Sequence, residues 1–327
     1  PDASGDDATA NRFAGWPLAG LPVPLPEDYV YGIDLQRVDF EARAMPSYLR
    51  GEWQLGGWWY YYLYALMIKT PVGTLVLVLL ALYATTALRD HRGGRWPEAF
   101  LLCPAVFVLF LVSSQTGFNH HIRYVLPALP FLYIWVSKLG RAFSVGDRLM
   151  GVVASAALAW AVASSMLIYP HCGSYFNELV SGPEHGCDHL VDSNVDWGQD
   201  LFFLKSWLDR HGEARPLYLV YTLPLIEPGV LGIEYTVPSN SSPLPGWYAV
   251  SVGPLRGGRS DLNFLLRLKH YDLIGYSTYI FHVTREQADV FRAEMGEPWL
   301  PDDPSGRTGS SPRAGDKSRF SSAVDTR

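Results

Sequence analysis

The stretch VGTLVLVLLALYATTAL, residues 72–88, is the first of four apolar stretches that contain no Asp, Glu, Lys or Arg. The others are residues 99–118, 124–136 and 149–169. A helix that crosses a bilayer needs roughly 20 mostly apolar residues, and about 17 is the lower limit. The 124–136 stretch falls short of this length, and its flanking charges, Arg123 and Lys138, would have to reach toward the two interfaces.

These four stretches predict the fold class, an α-helical multi-pass membrane region with four spans. A buried helical core is the alternative for any one stretch. Four in succession, without a polar segment long enough to form a soluble layer between them, favour the membrane. We expect the spans at about 72–88, 99–118, 122–137 and 149–169, inside a membrane region of residues 58–169.

The basic residues predict how these spans are oriented. They fall in the connections between the first two spans and between the last two: Arg89, Arg92, Arg95, Lys138, Arg141 and Arg148. The connection between the second and third spans has no charge apart from Arg123 at its edge. By the positive-inside rule, the two basic connections are cytoplasmic. We therefore expect residues 1–57 to be an external N-terminal segment and residues 170–300 to be an external domain.

Residues 170–300 are predicted to form a small α/β domain, because helices that alternate with strands are typical of that architecture. Runs rich in Val, Ile and Tyr predict strands at 217–221, 247–252 and 273–283. Helical character is predicted at 200–211, 261–269 and 285–295. Residues 301–327 are dominated by Ser, Gly, Pro, Asp and Arg and are predicted to be a disordered tail.

Charge and cysteine content narrow the functional classes. The net charge is −6 and no basic stripe with interleaved aromatic residues is present, so no nucleic-acid partner is expected. The chain begins at Pro1 without a signal peptide, and we expect it to be part of a longer protein. Cys172 and Cys187 both follow the last span and are a disulfide candidate, although their spacing alone does not decide whether they meet.

The first candidate site is the segment from Asn119 to Pro127, at the external mouth between the second and third spans. It contains His120, His121, Arg123 and Tyr124. Such polar groups are costly at membrane depth unless they face a cavity or an anionic group, and a guanidinium matches phosphate oxygens. The alternative is that Arg123 only reaches toward the interface and that the histidines are merely exposed.

The second candidate is the segment Asp192–Asp200, DSNVDWGQD. It partly matches a calcium loop, but Gly falls at the seventh position and Phe203 takes the place of the bidentate Glu. We expect Asp196 or Asn194 to cap a helix over 201–211 instead. A third interpretation is contact with a sugar or lipid headgroup through Asp192, Asn194, Asp196 and Gln199.

The third candidate is the aromatic region from Tyr48 to Tyr62, with Glu52, Trp58 and Trp59 as further candidate substrate contacts. Aromatic rings at this place either stack on a sugar or anchor the chain at the membrane interface.

Taken in order, these segments resemble the C-terminal part of bacterial multi-pass glycosyltransferases that use a phospholipid-carried sugar. This group is related to protein mannosyltransferases and lipid A aminoarabinose transferases and has the GT-C architecture. The resemblance rests on the segments Tyr48–Glu52, Gly57–Tyr62, Lys69–Pro71, Arg123–Pro130, Tyr175–Glu178 and Asp192–Asp200. It covers about residues 25–285, and the last segment is its most specific part.

The resemblance implies inverting transfer of a sugar from a polyprenyl-phosphate donor on the periplasmic face of the bacterial inner membrane. In that group the catalytic carboxylate lies in the first external loop of a longer membrane region, and no such loop precedes residue 72 here. We therefore expect no catalytic residue in this chain, no cofactor and no metal requirement. Arg123 with His120 or His121 is expected to neutralise the donor phosphate, and Tyr124 to help position it.

The expected partners are membrane lipid, the polyprenyl-phosphate sugar donor and an acceptor that the sequence does not identify. The alternative function is that of a non-enzymatic membrane protein whose outer domain binds glycans or a partner.

Overall fold

The structure, a computed structural model, describes residues 24–42, 46–88, 94–114, 119–221, 226–238, 242–257, 260–298 and 300. The predicted disordered tail at 301–327 lies outside these described residues. Residues 1–23 also lie outside them.

The N-terminal segment contains more regular structure than its sequence suggests. Helix α1 covers Glu27–Ala42, and strands β1 (Pro46–Leu49) and β2 (Glu52–Leu55) form an antiparallel hairpin. The hairpin turn is Arg50-Gly51, and both residues have positive φ, +52° and +86°, as a tight two-residue turn requires. Helix α2 (Tyr61–Lys69) follows.

Three of the predicted spans are single α-helices. They are α3 (Val72–Ala87), α4 (Arg95–Ser114) and α7 (Arg148–Leu167). Within the described residues, α4 and α7 are long and apolar enough to cross a membrane by themselves. Helices α2 and α3 pass the same test only as a pair, which is bent by 113°. By length and composition the structure thus contains two candidate spans, or three if the bent pair is one.

The third predicted span is not one continuous α-helix, and that part of the prediction is wrong. A 3-10 helix covers Ile122–Ala128, and α5 covers only Leu129–Val136. Proline has no backbone N–H, so Pro127, inside the 3-10 helix, cannot donate a helical hydrogen bond there, whereas Pro130 lies in the first turn of α5, where proline is tolerated. A second 3-10 helix, Ser137–Gly140, and helix α6, Arg141–Val145, continue the chain.

One end of the helices is joined by an ion pair. Lys138, just after α5, pairs with Glu98 at the start of α4 and donates to Thr85 Oγ1 near the end of α3 at 2.7 Å. Trp135 Nε1 also donates to Glu98. These contacts bring three apolar segments together at the end of the helices that lies farther from residue 119.

Helices α3 and α7 pack closely because small residues line their contact. A Cβ atom added to Gly73 would lie 2.1 Å from the carbonyl oxygen of Ala157 and 2.6 Å from the backbone nitrogen of Ala161. The residues buried along the two helices are correspondingly small, apart from Met150: Gly73, Ala81, Ala84, Gly151, Ala154, Ala157, Ala161 and Ser164. Small residues allow this close backbone approach between membrane helices.

The C-terminal part is a small α/β unit, as predicted, with some corrections. It contains α8 (Leu201–Arg210), β3 (Leu217–Val220), β4 (Gly246–Ser251), α9 (Val252–Arg256), β5 (Asp272–Ile274), β6 (Thr278–Val283) and α10 (Arg285–Glu294). The sheet order is β3-β4-β6-β5, and only β3 and β4 pair in parallel. The predicted strand 273–283 is a hairpin, and the predicted helix 261–269 is two short 3-10 helices.

The two faces of this sheet belong to different cores. On one face, α8 buries Leu201, Leu204, Trp207 and Leu208 against the sheet. The other face belongs to a larger core that also contains Tyr48, Tyr61, Tyr62, Ile68 and Val125. The N-terminal hairpin, α2 and the start of the third apolar stretch are therefore packed together with the C-terminal unit.

We predict that Gly73→Ala destabilises the helical region. The added methyl group collides with the α7 backbone, and overpacking of this kind costs about 1 to 3 kcal/mol. The measurement is thermal unfolding in detergent. Gly140→Ala is the matched control, because Gly140 is also helical but has no atom within 4 Å of its added Cβ. Equal melting temperatures of the two variants would contradict the close α3–α7 contact.

Candidate functional site

The first candidate segment is held in place by the N-terminal hairpin. The backbone N–H of Asn119 donates to Ser47 Oγ, and its side-chain oxygen accepts from the Trp58 N–H, both at 2.6 Å. Gly57 has φ +65°, and a Cβ there would lie 1.9 Å from Asn119 Oδ1. Only glycine fits beside this amide, so residues 56–58 and Asn119 fix each other's position.

Asn194 joins three segments from the inside of the protein. Its side-chain nitrogen donates to Tyr61 Oη at 2.9 Å and to the His120 carbonyl oxygen at 2.7 Å. Its side-chain oxygen accepts from the Ile122 N–H at 3.1 Å. Asn194 is buried, so these bonds replace those that water would make. The Asp192–Asp200 loop is therefore attached to the segment that contains Arg123.

Lys69 strengthens the same junction. Its ammonium group donates to the carbonyl oxygens of Asn194 at 2.5 Å and of Gly173 at 2.9 Å. It also lies 4.3 Å from the centre of the Phe176 ring. The Lys69 amino group, held by two carbonyl oxygens and close to this ring, links the end of α2 to both loops that follow α7.

Arg123 lies on the exposed side of this junction, between two aromatic rings. Its guanidinium carbon is 5.2 Å from the centre of the Trp197 ring and 5.7 Å from that of Tyr124. Trp197 is itself fixed by a 2.7 Å hydrogen bond from its indole nitrogen to the Ser193 carbonyl oxygen. In the described part of the chain, Arg123 forms no ion pair. Its positive charge is thus positioned by rings and left available to an anion.

His121 lies beside Arg123 as a neutral ring. Burial, together with the positive charge of Arg123 and the neighbouring His120, lowers the pKa of His121 to about 4. Its Nδ1 is hydrogen-bonded to Ser193 Oγ, and its ring stacks on Trp197 at 5.8 Å. The Ser193 hydroxyl donates its only hydrogen to the His120 carbonyl oxygen at 3.1 Å, so it accepts from His121. The proton of His121 is then on Nδ1, and Nε2 is a hydrogen-bond acceptor.

The side chain of His120 contacts the N-terminal hairpin. Its Nε2 faces the Pro46 carbonyl oxygen at 2.7 Å, and because a carbonyl can only accept, Nε2 donates. Of the four residues predicted to bind phosphate, the structure therefore groups His121, Arg123 and Tyr124 around Trp197. It turns Nε2 of His120 toward the hairpin.

The polar side chains of 192–200 mostly hold their own loop. Asp196 Oδ1 accepts from the Gly198 N–H at 2.8 Å, and Gln199 Oε1 accepts from the Trp197 N–H at 2.6 Å. Asp192 has φ +56°, and burial raises the pKa of its carboxyl group while His120 opposes that effect. Among the described residues, no group of three His, Cys, Asp or Glu side chains is arranged to hold a metal ion.

The predicted cap of α8 is wrong. Neither Asn194 nor Asp196 reaches the helix, and the residue before it is Asp200, whose side chain makes no capping bond. The Asp200 carboxylate instead accepts from Ser277 Oγ at 2.6 Å and contacts His171 Nδ1 at 3.2 Å.

The aromatic candidates are divided between core and surface. Trp58 is partly buried against the larger core and is tied to Asn119 by its backbone, whereas Trp59 is 67% exposed. Glu52 lies exposed on β2. Ser47, Tyr61, Lys69, Ser193 and Trp197 belong to the junction but were not among the predicted site residues. A lysine at the end of an apolar aromatic helix was the one sequence signal that pointed to such a junction.

The predicted disulfide is not present. Cys172 is exposed and Cys187 is buried, and both are free thiols. The Cys187 sulfur contacts Tyr279 Oη at 3.0 Å and Arg256 Nη2 at 3.5 Å, so it packs beneath the sheet, away from the exposed Cys172.

Comparison of the chain with models of known protein families, with curated proteins and with solved structures finds no match. The family resemblance therefore stays a prediction, and function has to be argued from the geometry.

We predict that Asp196→Asn stabilises the protein at pH 8. Burial, with Asp200 adding to it, raises the pKa of Asp196 from 3.8 to about 6, although the Gly198 N–H and the Ser251 and Ser277 hydroxyl groups oppose the shift. Asp196 Oδ2 and Ser251 Oγ are buried without a hydrogen-bond partner in the described structure. The amide of the variant still accepts from Gly198 and can donate toward Ser251.

The direction of this change in stability follows from proton linkage. Because folding raises this pKa, the folded parent favours the protonated acid and loses stability as pH rises from 3.8 to about 6. The gain of Asp196→Asn at pH 8 is at most about 3 kcal/mol, since one pKa unit corresponds to about 1.4 kcal/mol, and it shrinks toward pH 4. Asp209→Asn, on the exposed face of α8, is the control in denaturant unfolding. A gain of the same size at both pH values would argue against the buried charge.

Proposed function

We propose that this chain is part of a membrane glycosyltransferase and that it binds the phosphate of a polyprenyl-phosphate sugar donor. The observation that carries this proposal is the guanidinium of Arg123, which is held between Tyr124 and Trp197. It lies beside the start of an apolar helical segment and forms no ion pair among the described residues. A lipid-borne phosphate is the anion whose chemistry fits both the charge and the apolar surroundings.

The proposal includes four spans, with the third formed by Ile122–Val136. At about 2.0 Å per residue for a 3-10 helix and about 1.5 Å for an α-helix, this segment extends about 26 Å, close to the roughly 30 Å of a hydrocarbon core. Its beginning is bonded to Asn194 and its end reaches Glu98 through Lys138. These two contacts, at opposite ends of the helices, support a full crossing despite the missing regular helix.

The proposed location is the bacterial inner membrane, with the Asn194 junction and the C-terminal unit on the periplasmic side. Exposed apolar side chains on α4 and α7, such as Phe100 and Leu149 at 76% each, support contact with lipid. The positive-inside rule supports the orientation, since Lys138, Arg141 and Arg148 lie at the opposite end from Arg123.

In the proposed complex, Arg123 binds the donor phosphate and stabilises it as the leaving group. The guanidinium presents a planar fork of N–H donors, and two flanking rings restrict its orientation before the ligand binds. His121 does not add a second cation, because its low pKa keeps it neutral. Its Nε2 acceptor suits a hydroxyl hydrogen, such as one on the sugar next to the phosphate. Trp197, 40% exposed, offers the ring face for stacking.

The second candidate function, a non-enzymatic glycan-binding protein, is favoured by the exposed rings of Trp59 and Trp197. It differs from the first in one respect that can be measured. A glycan-binding surface needs the rings but not the phosphate, whereas the donor site needs Arg123 and the phosphate together.

We predict that alkaline phosphatase, which is active only outside the cytoplasm, is active when it is fused after Leu300 and inactive when it is placed at residue 93. Alkaline phosphatase and a cytoplasm-dependent fluorescent protein provide the two readouts. Cytoplasmic activity of the Leu300 fusion would reject the orientation and would single out the third span as the one that fails to cross.

We predict that Arg123→Ala weakens binding of farnesyl phosphate, a short soluble analogue of the donor lipid, by about 10- to 100-fold in detergent. Loss of a hydrogen-bonded charge is worth about 1.5 to 3 kcal/mol. Arg123→Lys keeps the charge but loses the planar fork and the ring stacking, so an intermediate loss is expected. Farnesol, which lacks the phosphate, should bind weakly to parent and variants alike.

The control for this experiment is Arg148→Lys, an exposed arginine at the start of α7, at the opposite end of the helices. It should leave binding unchanged. Unaltered farnesyl phosphate affinity in a folded Arg123→Ala protein would remove Arg123 from the donor site. Binding of neutral oligosaccharides without phosphate dependence would favour the second function.

A further inference from the structure

A carboxylate is held against the outward side of α7 by two neutral donors. Glu178 Oε1 accepts from the indole nitrogen of Trp160 at 3.0 Å and from Ser164 Oγ at 2.8 Å. Glu178 follows α7 in the chain, so its side chain turns back along the helix. None of these residues takes part in the site around Arg123.

The position of this carboxylate corresponds to the headgroup region of the outer leaflet in the proposed membrane orientation. Ser164 and Trp160 precede the last residue of α7, Leu167, by three and seven positions. At about 1.5 Å per residue, this places the donors about 5 to 10 Å below the helix end. The exposed neighbours are apolar, with Met166 at 73%, Leu167 at 86% and Leu179 at 60% exposure.

The charge of Glu178 has no counter-charge within the protein as described. Burial alone would raise its pKa, but the hydrogen bonds from Trp160, from its own backbone N–H and from Ser164 outweigh this effect and lower it. Glu178 is therefore ionised at neutral pH. No Lys, Arg or His of the described residues pairs with it, and Oε2 lacks a protein donor in the same part of the chain. An exposed carboxylate at the level of the headgroups, with no cation paired to it in this part of the chain, attracts a cation from the lipid.

We propose that Glu178 and Trp160 form a binding site for the primary ammonium group of a phospholipid, of the phosphatidylethanolamine type. The ammonium would donate to the open Oε2 of Glu178 and lie next to the half-exposed ring of Trp160, which attracts a cation. The acyl chains would cover Met166, Leu167 and Leu179. A soluble amine has the same cation but no acyl chains for that apolar surface, so the lipid is the ligand the surroundings favour.

This inference needs the membrane location of α7 but not the donor site at Arg123. The two can fail separately, because one concerns a lipid cation and the other a lipid phosphate.

The test is native mass spectrometry of the full chain in detergent with equal amounts of phosphatidylethanolamine and phosphatidylglycerol. The parent should retain the ethanolamine lipid about fivefold more, the factor that corresponds to about 1 kcal/mol for a partly exposed charge pair. In Glu178→Gln, the amide oxygen still accepts from Trp160 and Ser164, so the fold is kept and only the charge is lost. The preference for phosphatidylethanolamine over phosphatidylglycerol should therefore disappear in this variant. Glu184→Gln, an exposed acid on the nearby 3-10 helix Pro183–Asp188, is the matched control and should keep the preference.

Three outcomes would overturn the proposal. Equal retention of both lipids by the parent would mean that the carboxylate selects no ammonium group. Displacement of the bound lipid by ethanolamine alone, at a concentration matched to that of the lipid, would assign the site to a soluble amine. Retention of the preference in Glu178→Gln would place the lipid elsewhere on the protein.

Discussion

The buried side chain of Asn194 is the contact on which the candidate site depends. Its amide bonds to Tyr61 of α2, to the His120 carbonyl oxygen and to the Ile122 N–H, and so joins segments that are far apart in the chain. An apolar residue of similar size would leave the Ile122 N–H without its partner at a cost of about 1 to 3 kcal/mol, whereas the His120 carbonyl oxygen would keep its bond from Ser193. Ser193 adds a second link between this loop and the start of the third apolar stretch, because its hydroxyl donates to the His120 carbonyl oxygen and accepts from His121 Nδ1. The buried side chain of Asn194 thus helps to determine the position of Arg123 relative to Trp197.

The structure places His120 and His121, which belong to one sequence motif, in different surroundings. His120 and His121 are neighbours, yet one donates to the hairpin and the other is a neutral acceptor next to a permanent cation. Two imidazolium groups beside Arg123 would repel it, and burial adds to that cost, so the fold keeps His121 unprotonated. In the proposed donor site, one cation and one acceptor would favour a phosphate ester with a nearby hydroxyl group over a bare phosphate. A site with three cations would bind any anion.

The sequence was sufficient for structure that depends on local composition. The apolar runs predicted α3, α4 and α7, and residue spacing predicted α8 and α10. The sequence was insufficient where a contact with a residue far away in the chain determines the local structure. The predicted strand 273–283 is broken at Gly275, where a Cβ would lie 2.1 Å from the Asp200 carboxyl carbon, and that contact joins residues 75 positions apart. The candidate site likewise depends on a contact between distant residues. His121 and Ser193 belong to two motifs that the sequence showed, but the sequence did not show that they form a hydrogen bond with each other. Pro127, by contrast, was a visible local reason to doubt a regular third helix.

The predicted side-chain cap of α8 is not formed, and this shows that burial of apolar side chains matters more than capping for this helix. A side-chain cap is worth about 1 kcal/mol, whereas complete burial of one large apolar side chain is worth about 1.5 to 3 kcal/mol. Helix α8 buries four such residues against the sheet, Leu201, Leu204, Trp207 and Leu208, so it forms without a cap. Asp200 is thereby left to bond Ser277 in the β5–β6 turn, and Asn194 is left to bond the segment that contains Arg123. The apolar face of α8 outweighs the missing cap, and the polar residues before the helix can bond to the segment at the start of the third apolar stretch instead.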